Sequence, residues 1–353
     1  MPASPHAVPS VLHFAIAALA ERRSLSEQQA ADVFGAVMRG EATAGQIAGL
    51  LIGLRVKGET ADEIAGAARA LRAAMVRVDA PGTHLVDTCG TGGGVSTFNI
   101  STAAAFVAAG AGATVAKHGN RSYTSKCGSA DVVEALGVRI SLDAADAARV
   151  LRQACVTFLF APNFHPAMKH AGPVRRELGV PSVMNLLGPL ANPAGVRRQI
   201  VGVADRERAP RLAAALARLG VDHAWVVHGR VGMDEIAPHG ITDVWEIERD
   251  GVTEWQLDAA RYGLALPDVA PLAGGEPAAN AARIERLLTD GREDGPGLAA
   301  LLLNAGAAIY VAGLTPTYEA GIARAREVVA SGAAHGALER LRRATSAVPT
   351  ART

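Results

Sequence analysis

The stretch His84-Leu85-Val86-Asp87-Thr88-Cys89-Gly90-Thr91-Gly92-Gly93-Gly94 decides the fold of this 353-residue chain. Its first four residues are typical of a short buried strand, and the glycines after them are typical of a loop. Ser101 to Ala109 is apolar and rich in alanine, which favours a helix. A strand, a loop and a helix in this order predict one unit of a largely parallel sheet with helices on its faces.

The same order recurs further along the chain. We predict more strands at Thr114–Lys117, Val156–Phe160, Ile200–Val203 and Ala224–Val227, and helices at Ser129–Leu136 and Ala209–Leu219. Two further runs, 244–247 and 252–255, flank Asp250-Gly251, a pair typical of a hairpin turn. From about residue 279 the pattern is helical again. The sequence therefore predicts an α/β domain with a mainly parallel sheet over residues 81–353.

The first part of the chain has a different pattern. Residues 11 to about 79 carry apolar residues at helical spacing and no strand-like alternation, which predicts four helices. Ser24-Leu25-Ser26-Glu27 and Thr60-Ala61-Asp62-Glu63 both match the capping box of a helix start. The pattern changes at Pro81-Gly82. We therefore expect a small all-helical domain over residues 1–80, ahead of the α/β domain.

Composition limits the classes of partner. Hydrophobic residues make up 49% and charged residues 20% of the chain, which indicates a globular protein, and a formal charge of +1 gives no general attraction to nucleic acid. No apolar run reaches the ~18 residues that a membrane span needs. Met1 to Ser10 lacks the pattern of a signal peptide, and the three cysteines form no Cys-x-x-Cys pair. We expect a cytoplasmic protein with no nucleic-acid or membrane partner.

Two segments after predicted strands carry features of an anion site. In Asp87 to Gly94, glycines let backbone N–H groups approach a ligand at the start of a helix, which favours phosphate; a flexible turn is the plainer alternative. Lys117 to Ser125 follows the second strand, and ligands of such sheets bind beyond the carboxyl ends of the strands. Its cations and hydroxyls suit an anion, whereas a solvated charged loop is the alternative.

Two further segments carry oxygen donors. Thr97-Phe98-Asn99-Ile100-Ser101-Thr102 places three hydroxyls and an amide at a helix start, where a cap needs only one such residue. The surplus is suited to phosphate or to a metal-bound water. Asp234-Glu235 follows another strand, and an adjacent pair of acids is a candidate magnesium site. An ordinary surface pair of acids is the alternative there.

Together these segments resemble the anthranilate phosphoribosyltransferase family, from about residue 11 to residue 345. The likeness is densest in a set of short motifs: Asp87-Thr88-Cys89-Gly90-Thr91-Gly92-Gly93, Asn99-Ile100-Ser101-Thr102, Lys117-His118-Gly119-Asn120-Arg121, Gly128-Ser129-Ala130-Asp131, Phe164-His165-Pro166-Ala167-Met168, Asn185-Leu186-Leu187-Gly188-Pro189-Leu190, and His228-Gly229 with Asp234-Glu235. Each motif is modest alone. All of them in order form a specific match.

The resemblance implies site residues, position by position. Magnesium would be bound by Ser101, Asp234 and Glu235, and anthranilate by Gly90, Asn120 and Arg175. Lys117 would support the leaving group, and no residue would act as a nucleophile. The residues implied for phosphoribosyl pyrophosphate are Gly90, Gly93, Gly94, Thr97, Asn99, Ile100, Ser101, Thr102, Lys117, His118, Gly119, Asn120, Arg121, Ser122, Tyr123, Thr124, Ser125 and Ser129.

The resemblance also implies an architecture and a reaction. A helical domain, joined by a segment near 175–195, would accompany an α/β domain of the nucleoside phosphorylase/phosphoribosyltransferase type, and the protein would form a homodimer. The implied reaction transfers the phosphoribosyl group to anthranilate in tryptophan biosynthesis, with Mg²⁺ as cofactor. The alternatives are a related pyrimidine nucleoside phosphorylase-like transferase and a non-catalytic relative that binds nucleic acid. The chain lacks the former's loop motifs, and its near-neutral charge disfavours the latter.

One position departs from the family pattern. The family usually has an acid after the second of its paired glycines, where this chain has Gly94 and a loop one residue shorter. Either Gly94 takes the place of the acid or the acid is missing. Because relatives carry an acid nearby, we expect an aspartate at position 94 to be tolerated.

Overall fold

The computed structural model describes residues 10–80, 82–122, 126–249, 251–290 and 294–349. Within these residues the strands are β1 (Leu85–Gly90), β2 (Thr114–Gly119), β3 (Val156–Phe160), β4 (Arg198–Gly202), β5 (His223–Gly229), β6 (Ile241–Glu248) and β7 (Gly251–Asp258). The helices are α1 (Val11–Ala20), α2 (Glu27–Arg39), α3 (Ala44–Lys57), α4 (Ala61–Ala74), α5 (Ile100–Ala111), α6 (Ser129–Ala135), α7 (Ala144–Ala154), α8 (Ala161–Phe164), α9 (Met168–Leu178), α10 (Met184–Leu190), α11 (Ala209–Arg218), α12 (Pro277–Thr289), α13 (Gly295–Val311), α14 (Tyr318–Ala330) and α15 (Ala333–Ser346).

The strands form one seven-stranded sheet in the order β3-β2-β1-β4-β5-β6-β7. The five strands from β3 to β5 are parallel, and β6 and β7 add an antiparallel hairpin at one edge. Asp250 of the predicted turn lies outside the described residues. The predicted fold class, an α/β domain with a mainly parallel sheet and a separate helical part, is confirmed.

The parallel order brings the carboxyl ends of five strands to one edge of the sheet. Each of β1, β2, β4 and β5 ends in a glycine: Gly90, Gly119, Gly202 and Gly229. The core around the sheet contains many small residues. Helices α13 and α14 pack so closely that a Cβ at Gly321 would lie only 2.4 Å from the carbonyl oxygen of Gly306. An alanine- and glycine-rich composition is what this close helix packing requires.

The described chain divides into two compact units. One is helical and comprises Met1–Met75 with His165–Ala191; the other is α/β and comprises Val76–Phe164 with Asn192–Thr353. In the described residues, every helix is too short or too polar to span a membrane.

The helix starts of the helical unit follow capping chemistry. At α4 the predicted box is confirmed: Glu63 N donates to Thr60 Oγ1 at 3.2 Å, and Thr60 N donates to the Glu63 carboxylate at 2.8 Å. At α2 the predicted box is wrong by two residues. The cap is Ser26 and its partner is Gln29, whose side chain accepts the Ser26 N–H at 2.9 Å, so Glu27 is the first helical residue.

Glu63 also anchors the interior of the helical unit. Its carboxylate is fully buried and accepts from Lys57 Nζ at 2.9 Å, from Leu25 N at 2.9 Å and from the N–H of the cap residue Thr60. The Lys57 side chain is only 7% exposed. A buried ammonium and a buried carboxylate are tolerated here because each satisfies the other.

We therefore predict that Glu63→Ala destabilises the helical unit by about 3–5 kcal/mol, since it leaves the Lys57 ammonium buried without its counter-ion. Urea unfolding followed by circular dichroism measures this. The matched control is Glu41→Ala, which removes the exposed Arg39–Glu41 pair and should leave the transition unchanged. Equal effects of the two variants would contradict the structural role of Glu63.

Candidate active site

The glycine loop lies between β1 and α5. Gly92 and Gly93 have φ angles of +68° and +88°, in the left-handed region that favours glycine. An added Cβ at either position would meet nothing within 4 Å. The backbone therefore requires these two glycines for its conformation, and the space beside them is open.

Asp234 and Glu235 lie in the loop after β5 and contact two different elements. Asp234 Oδ2 accepts the N–H of Gly92 at 3.0 Å, and Glu235 Oε1 accepts the N–H of Ser101 at 3.1 Å. Adjacent side chains thus hold the glycine loop and the first turn of α5. The structure brings Gly90, the glycine loop, Ser101 and both acids together, although they are far apart in sequence.

The loop that carries the acids is itself anchored. Gly229 N donates to the carbonyl of Met233 at 2.9 Å, which closes a tight turn before the acids. After them, Ile236 exchanges two hydrogen bonds of 3.0 Å with the side chain of Asn304, a buried residue of α13. This double contact fixes the position of the acid pair from the core side.

The electrostatics of the acid pair favour a bound cation. Burial raises the pKa of Glu235 to about 8, with Asp234 adding to the increase, and burial also raises the pKa of Asp234. Removing water from a carboxylate disfavours its charged form unless a positive group is near. The Ser101 hydroxyl and the two carboxylates supply oxygen donors only, which is the chemistry that Mg²⁺ prefers.

Lys117 is the cation of this region. It lies within β2, is 4% exposed, and donates to the carbonyl of Thr88 and to Ser101 Oγ at 3.3 Å. Burial lowers its pKa, whereas the charges of Asp87 and Glu235 act in the opposite direction. Its ammonium therefore acts on the site from beneath Ser101, inside the protein.

The segment after β2 folds onto α6. Asn120 accepts from Ser129 Oγ at 3.3 Å, and the Arg121 guanidinium contacts both Asp131 at 2.7 Å and Glu134 at 2.6 Å. His118 is buried and donates its backbone N–H to Asp87 at 3.2 Å. The predicted residues Tyr123, Thr124 and Ser125 lie outside the described residues.

The start of α5 is only partly polar. Asn99 occupies the cap position without a side-chain cap bond; its side chain instead contacts Cys127 and Asn280. Ile100 and Thr102 are buried, and Thr97 pairs with Ala273 in an isolated bridge. Of the residues predicted at this helix start, Ser101 is therefore the one that contacts the acid pair. Asn99 makes no side-chain cap bond, so helix capping does not account for the polar residues here. Arg175 lies on α9, in the helical unit.

Several residues that shape this site were not predicted from the sequence. Asn304 anchors the acid loop, and Asn192 donates to both the Asp87 carboxylate and the carbonyl of Ala116 at 2.8 Å. Gly202, at the end of β4, lies directly beneath Asp234. For Gly202 the sequence contains one indication, because each of four parallel strands ends in a glycine.

Comparisons with known protein families identify the class of protein to which this chain belongs. Residues 82–335 match the family described as "Glycosyl transferase family, a/b domain", and residues 15–75 match "Glycosyl transferase family, helical bundle domain". Together with the fold and the oxygen-rich site, these matches define a glycosyl transferase.

Similar proteins set the family within that class. An anthranilate phosphoribosyltransferase of Chloroflexus aurantiacus is 50% identical over 332 residues, 93% of this chain and 96% of that protein. Anthranilate phosphoribosyltransferase 2 of Streptomyces coelicolor is 49% identical over 320 residues, 90% of this chain and 95% of that protein.

Solved structures agree. The anthranilate phosphoribosyltransferase of Thermus thermophilus superposes with a TM-score of 0.89 at 43% identity, covering 94% of this chain and 99% of that one. The Saccharomyces cerevisiae enzyme in complex with PRPP and Mg superposes with a TM-score of 0.88 at 30% identity, covering 98% of this chain and 100% of that one. The chain belongs to the anthranilate phosphoribosyltransferase family, which confirms the resemblance and the transferase class.

The space at Gly94 disfavours the aspartate that was expected to be tolerated at this position. A Cβ there would lie 2.6 Å from the carbonyl oxygen of Gly232 and 3.1 Å from the backbone nitrogen of Asp234. Any side chain would therefore push the glycine loop away from the acid loop, and Val95 N donates to that same Gly232 carbonyl at 2.9 Å.

We predict that Gly94→Ala and Gly94→Asp both weaken the binding of phosphoribosyl pyrophosphate in calorimetric titrations. Overpacking costs about 1–3 kcal/mol, which corresponds to a loss of roughly fivefold to a hundredfold. Gly275→Ala is the control, because a Cβ there meets only ordinary contacts of 3.4 Å and longer. Normal binding by Gly94→Asp would mean that the two loops are not packed as described.

Proposed function

We propose that this enzyme transfers the phosphoribosyl group of phosphoribosyl pyrophosphate to anthranilate, a step of tryptophan biosynthesis. The products are N-(5-phosphoribosyl)anthranilate and pyrophosphate. One observation supports this most directly: Asp234 and Glu235 hold the glycine loop and the start of α5 at the carboxyl edge of the sheet. The family membership reported above favours this transfer over a nucleoside phosphorylase-like reaction or nucleic-acid binding.

We assign the phosphate part of the donor substrate to the described residues at this edge. Gly93 and Gly94 provide backbone N–H groups, and the start of α5 adds the positive end of a helix. The described parts of the following segment, 117–122 and 126–129, provide further donors. The fuller set implied by the resemblance, including the anthranilate contacts Gly90, Asn120 and Arg175, remains a proposal.

The residues present fit a magnesium ion. Asp234, Glu235 and Ser101 offer oxygen atoms alone, and both acids are half-buried with raised pKa values, so a divalent cation would offset the cost of their charges. The homologous yeast enzyme has been solved with PRPP and Mg, which supports Mg²⁺ as the cofactor. When bound, the ion supplies positive charge that stabilises the pyrophosphate leaving group.

The chain's own residues then work by positioning and charge. The bond from the ribose C1′ to the pyrophosphate oxygen breaks, and a bond from C1′ to the anthranilate nitrogen forms. That nitrogen is neutral at pH 7 and loses its proton after attack, so no strong base is required. Lys117, buried beneath Ser101, stabilises the departing negative charge through its field. Correct orientation of the two substrates provides much of the remaining acceleration.

The direct test is product formation from anthranilate and phosphoribosyl pyrophosphate. We expect one pyrophosphate for each N-(5-phosphoribosyl)anthranilate, dependent on magnesium and lost in the double variant D234A/E235A with an unchanged circular dichroism spectrum. Absence of the product, with nucleoside or nucleic acid used instead, would refute the proposal.

The pKa of Glu235 predicts a pH dependence for metal binding. The carboxyl must lose its proton to bind Mg²⁺, and its pKa is raised to about 8. We therefore expect magnesium affinity to increase as the pH rises through this value, with release of a proton on binding. Calorimetry in two buffers of different ionisation enthalpy measures that proton. In Glu235→Gln both the pH dependence and the proton release should disappear; their persistence would assign them to another group.

Arg175 is proposed to bind the anthranilate carboxylate. A charged hydrogen bond contributes about 1.5–3 kcal/mol, so Arg175→Ala should raise the KM for anthranilate about tenfold to a hundredfold and the KM for phosphoribosyl pyrophosphate much less. Its exposed neighbour supplies the control, because Arg176→Ala removes the same charge from the same helix. An equal rise in both KM values would indicate that Arg175 has a structural role.

We also propose that the two compact units are separate domains and that the protein acts in the cytoplasm.

A further proposal is that the protein forms a homodimer through its helical part. Val11 and Phe14 support the last point, since these apolar residues lie one turn apart on α1 and are 37% and 42% exposed. Light scattering should give the mass of a dimer for the wild type and the mass of a monomer for Phe14→Ser. A monomeric wild type, or a dimeric Phe14→Ser, would contradict a dimer formed through this face.

A further inference from the structure

Gly90 and Gly202 are neighbours at the carboxyl edge of the sheet. They are register partners on the parallel strands β1 and β4, and each is the last residue of its strand. Neither has a left-handed φ, so the backbone at both positions is one that any residue adopts. The reason for glycine must therefore be space.

Asp234 occupies that space. A Cβ at Gly202 would lie 1.7 Å from the carbonyl oxygen and 2.5 Å from the carbonyl carbon of Asp234. A Cβ at Gly90 would lie 3.0 Å from Asp234 Oδ2. The first conflict is with backbone, which cannot rotate away as a side chain does. The second is with a carboxylate oxygen that has some freedom.

The backbone of Asp234 has little room to yield. On its other side, the place of a Gly94 side chain is filled by Gly232 and by Asp234 N. The loop is tied at both ends, by the turn at Gly229 and by the two hydrogen bonds of Asn304. A methyl group at position 202 would therefore displace the Asp234 peptide and with it the contact from Asp234 Oδ2 to Gly92 N.

The ends of the other two strands are less tightly covered by backbone. A Cβ at Gly119 would meet the Ser129 hydroxyl at 2.2 Å, and one at Gly229 would meet the Ala237 methyl at 2.9 Å, so side-chain atoms are closest in both cases. Among these glycines, Gly202 is thus the one in direct contact with the backbone of Asp234, a proposed metal ligand.

We propose that Gly202 is a positioning residue for magnesium binding: its missing side chain lets Asp234 lie across the ends of β1 and β4, where its carboxylate meets the glycine loop. This inference rests on the proposed function, because it takes Asp234 as a metal ligand. It assigns control over the metal requirement of the enzyme to the last residue of a strand, which itself has no side chain to offer a ligand.

The test is Gly202→Ala, with Mn²⁺ as a spectroscopic probe for the metal site. Electron paramagnetic resonance titration in the presence of phosphoribosyl pyrophosphate should show Mn²⁺ binding at least about tenfold weaker than in the wild type. The Mg²⁺ concentration for half-maximal activity should rise by a similar factor, and kcat at saturating Mg²⁺ should fall less. A merely structural role would lower activity equally at every Mg²⁺ concentration.

Two variants complete the design. Gly336→Ala is the matched control, since a Cβ on this glycine of α15 meets only Arg340 Nη1 at 3.7 Å, and its Mn²⁺ titration should equal that of the wild type. Gly90→Ala, whose closest conflict is with the Asp234 carboxylate, should shift the titration in the same direction by a smaller factor. It decides the matter if Gly202→Ala does not fold.

The outcomes separate the two proposals. Wild-type Mn²⁺ binding with an unchanged titration in Gly202→Ala, or in Gly90→Ala where the former does not fold, overturns the positioning role and leaves the proposed function intact. A wild type that binds no Mn²⁺ and forms no N-(5-phosphoribosyl)anthranilate overturns the proposed function, and the positioning role falls with it.

Discussion

Two backbone N–H groups, of Gly92 and Ser101, each donate to a different one of the adjacent acids Asp234 and Glu235. Neighbouring side chains in an irregular segment point in different directions, so one short loop holds both the glycine loop and the first turn of α5. The acids are half-buried, and a carboxylate removed from much of its water is costly unless donors or cations surround it. The rest of the α/β unit provides those surroundings: the sheet edge beneath, α5 beside it and Asn304 behind.

The charges beneath the acid pair explain why a divalent ion suits the site. Lys117 is the buried cation there, and Asp87 is a further buried carboxylate, held by Asn192 and by the backbone N–H of His118. When all three are ionised, the carboxylates of Asp87, Asp234 and Glu235 outnumber the ammonium of Lys117. Because charges interact strongly where water is excluded, this excess of negative charge favours a bound cation. The same excess keeps an anionic substrate away unless the cation comes with it.

The sequence predicted the order of elements well, because strand, glycine loop and helix differ in composition and period. Among the residues that it singled out, Ser101 is brought by the structure into contact with Lys117 and with Glu235, while the roles of these residues stay predictions. It did not predict Asn304, since an asparagine within an apolar helix shows no local sign of its partner 68 residues earlier. It placed the α2 cap at Ser24 because two serines compete there, and only the contact of Ser26 with Gln29 decides between them.

Position 94 shows how the departure from the family pattern fits the site. The space for a side chain at Gly94 is already filled by the Gly232 carbonyl and the backbone of Asp234. The glycine loop lies against the acid loop, and Val95 N and Gly92 N make direct contacts across the junction. An extra carboxylate at this point would face Asp234 at close range, and like charges this close repel each other. In this chain, therefore, the two loops approach each other so closely at position 94 that only a glycine fits between them.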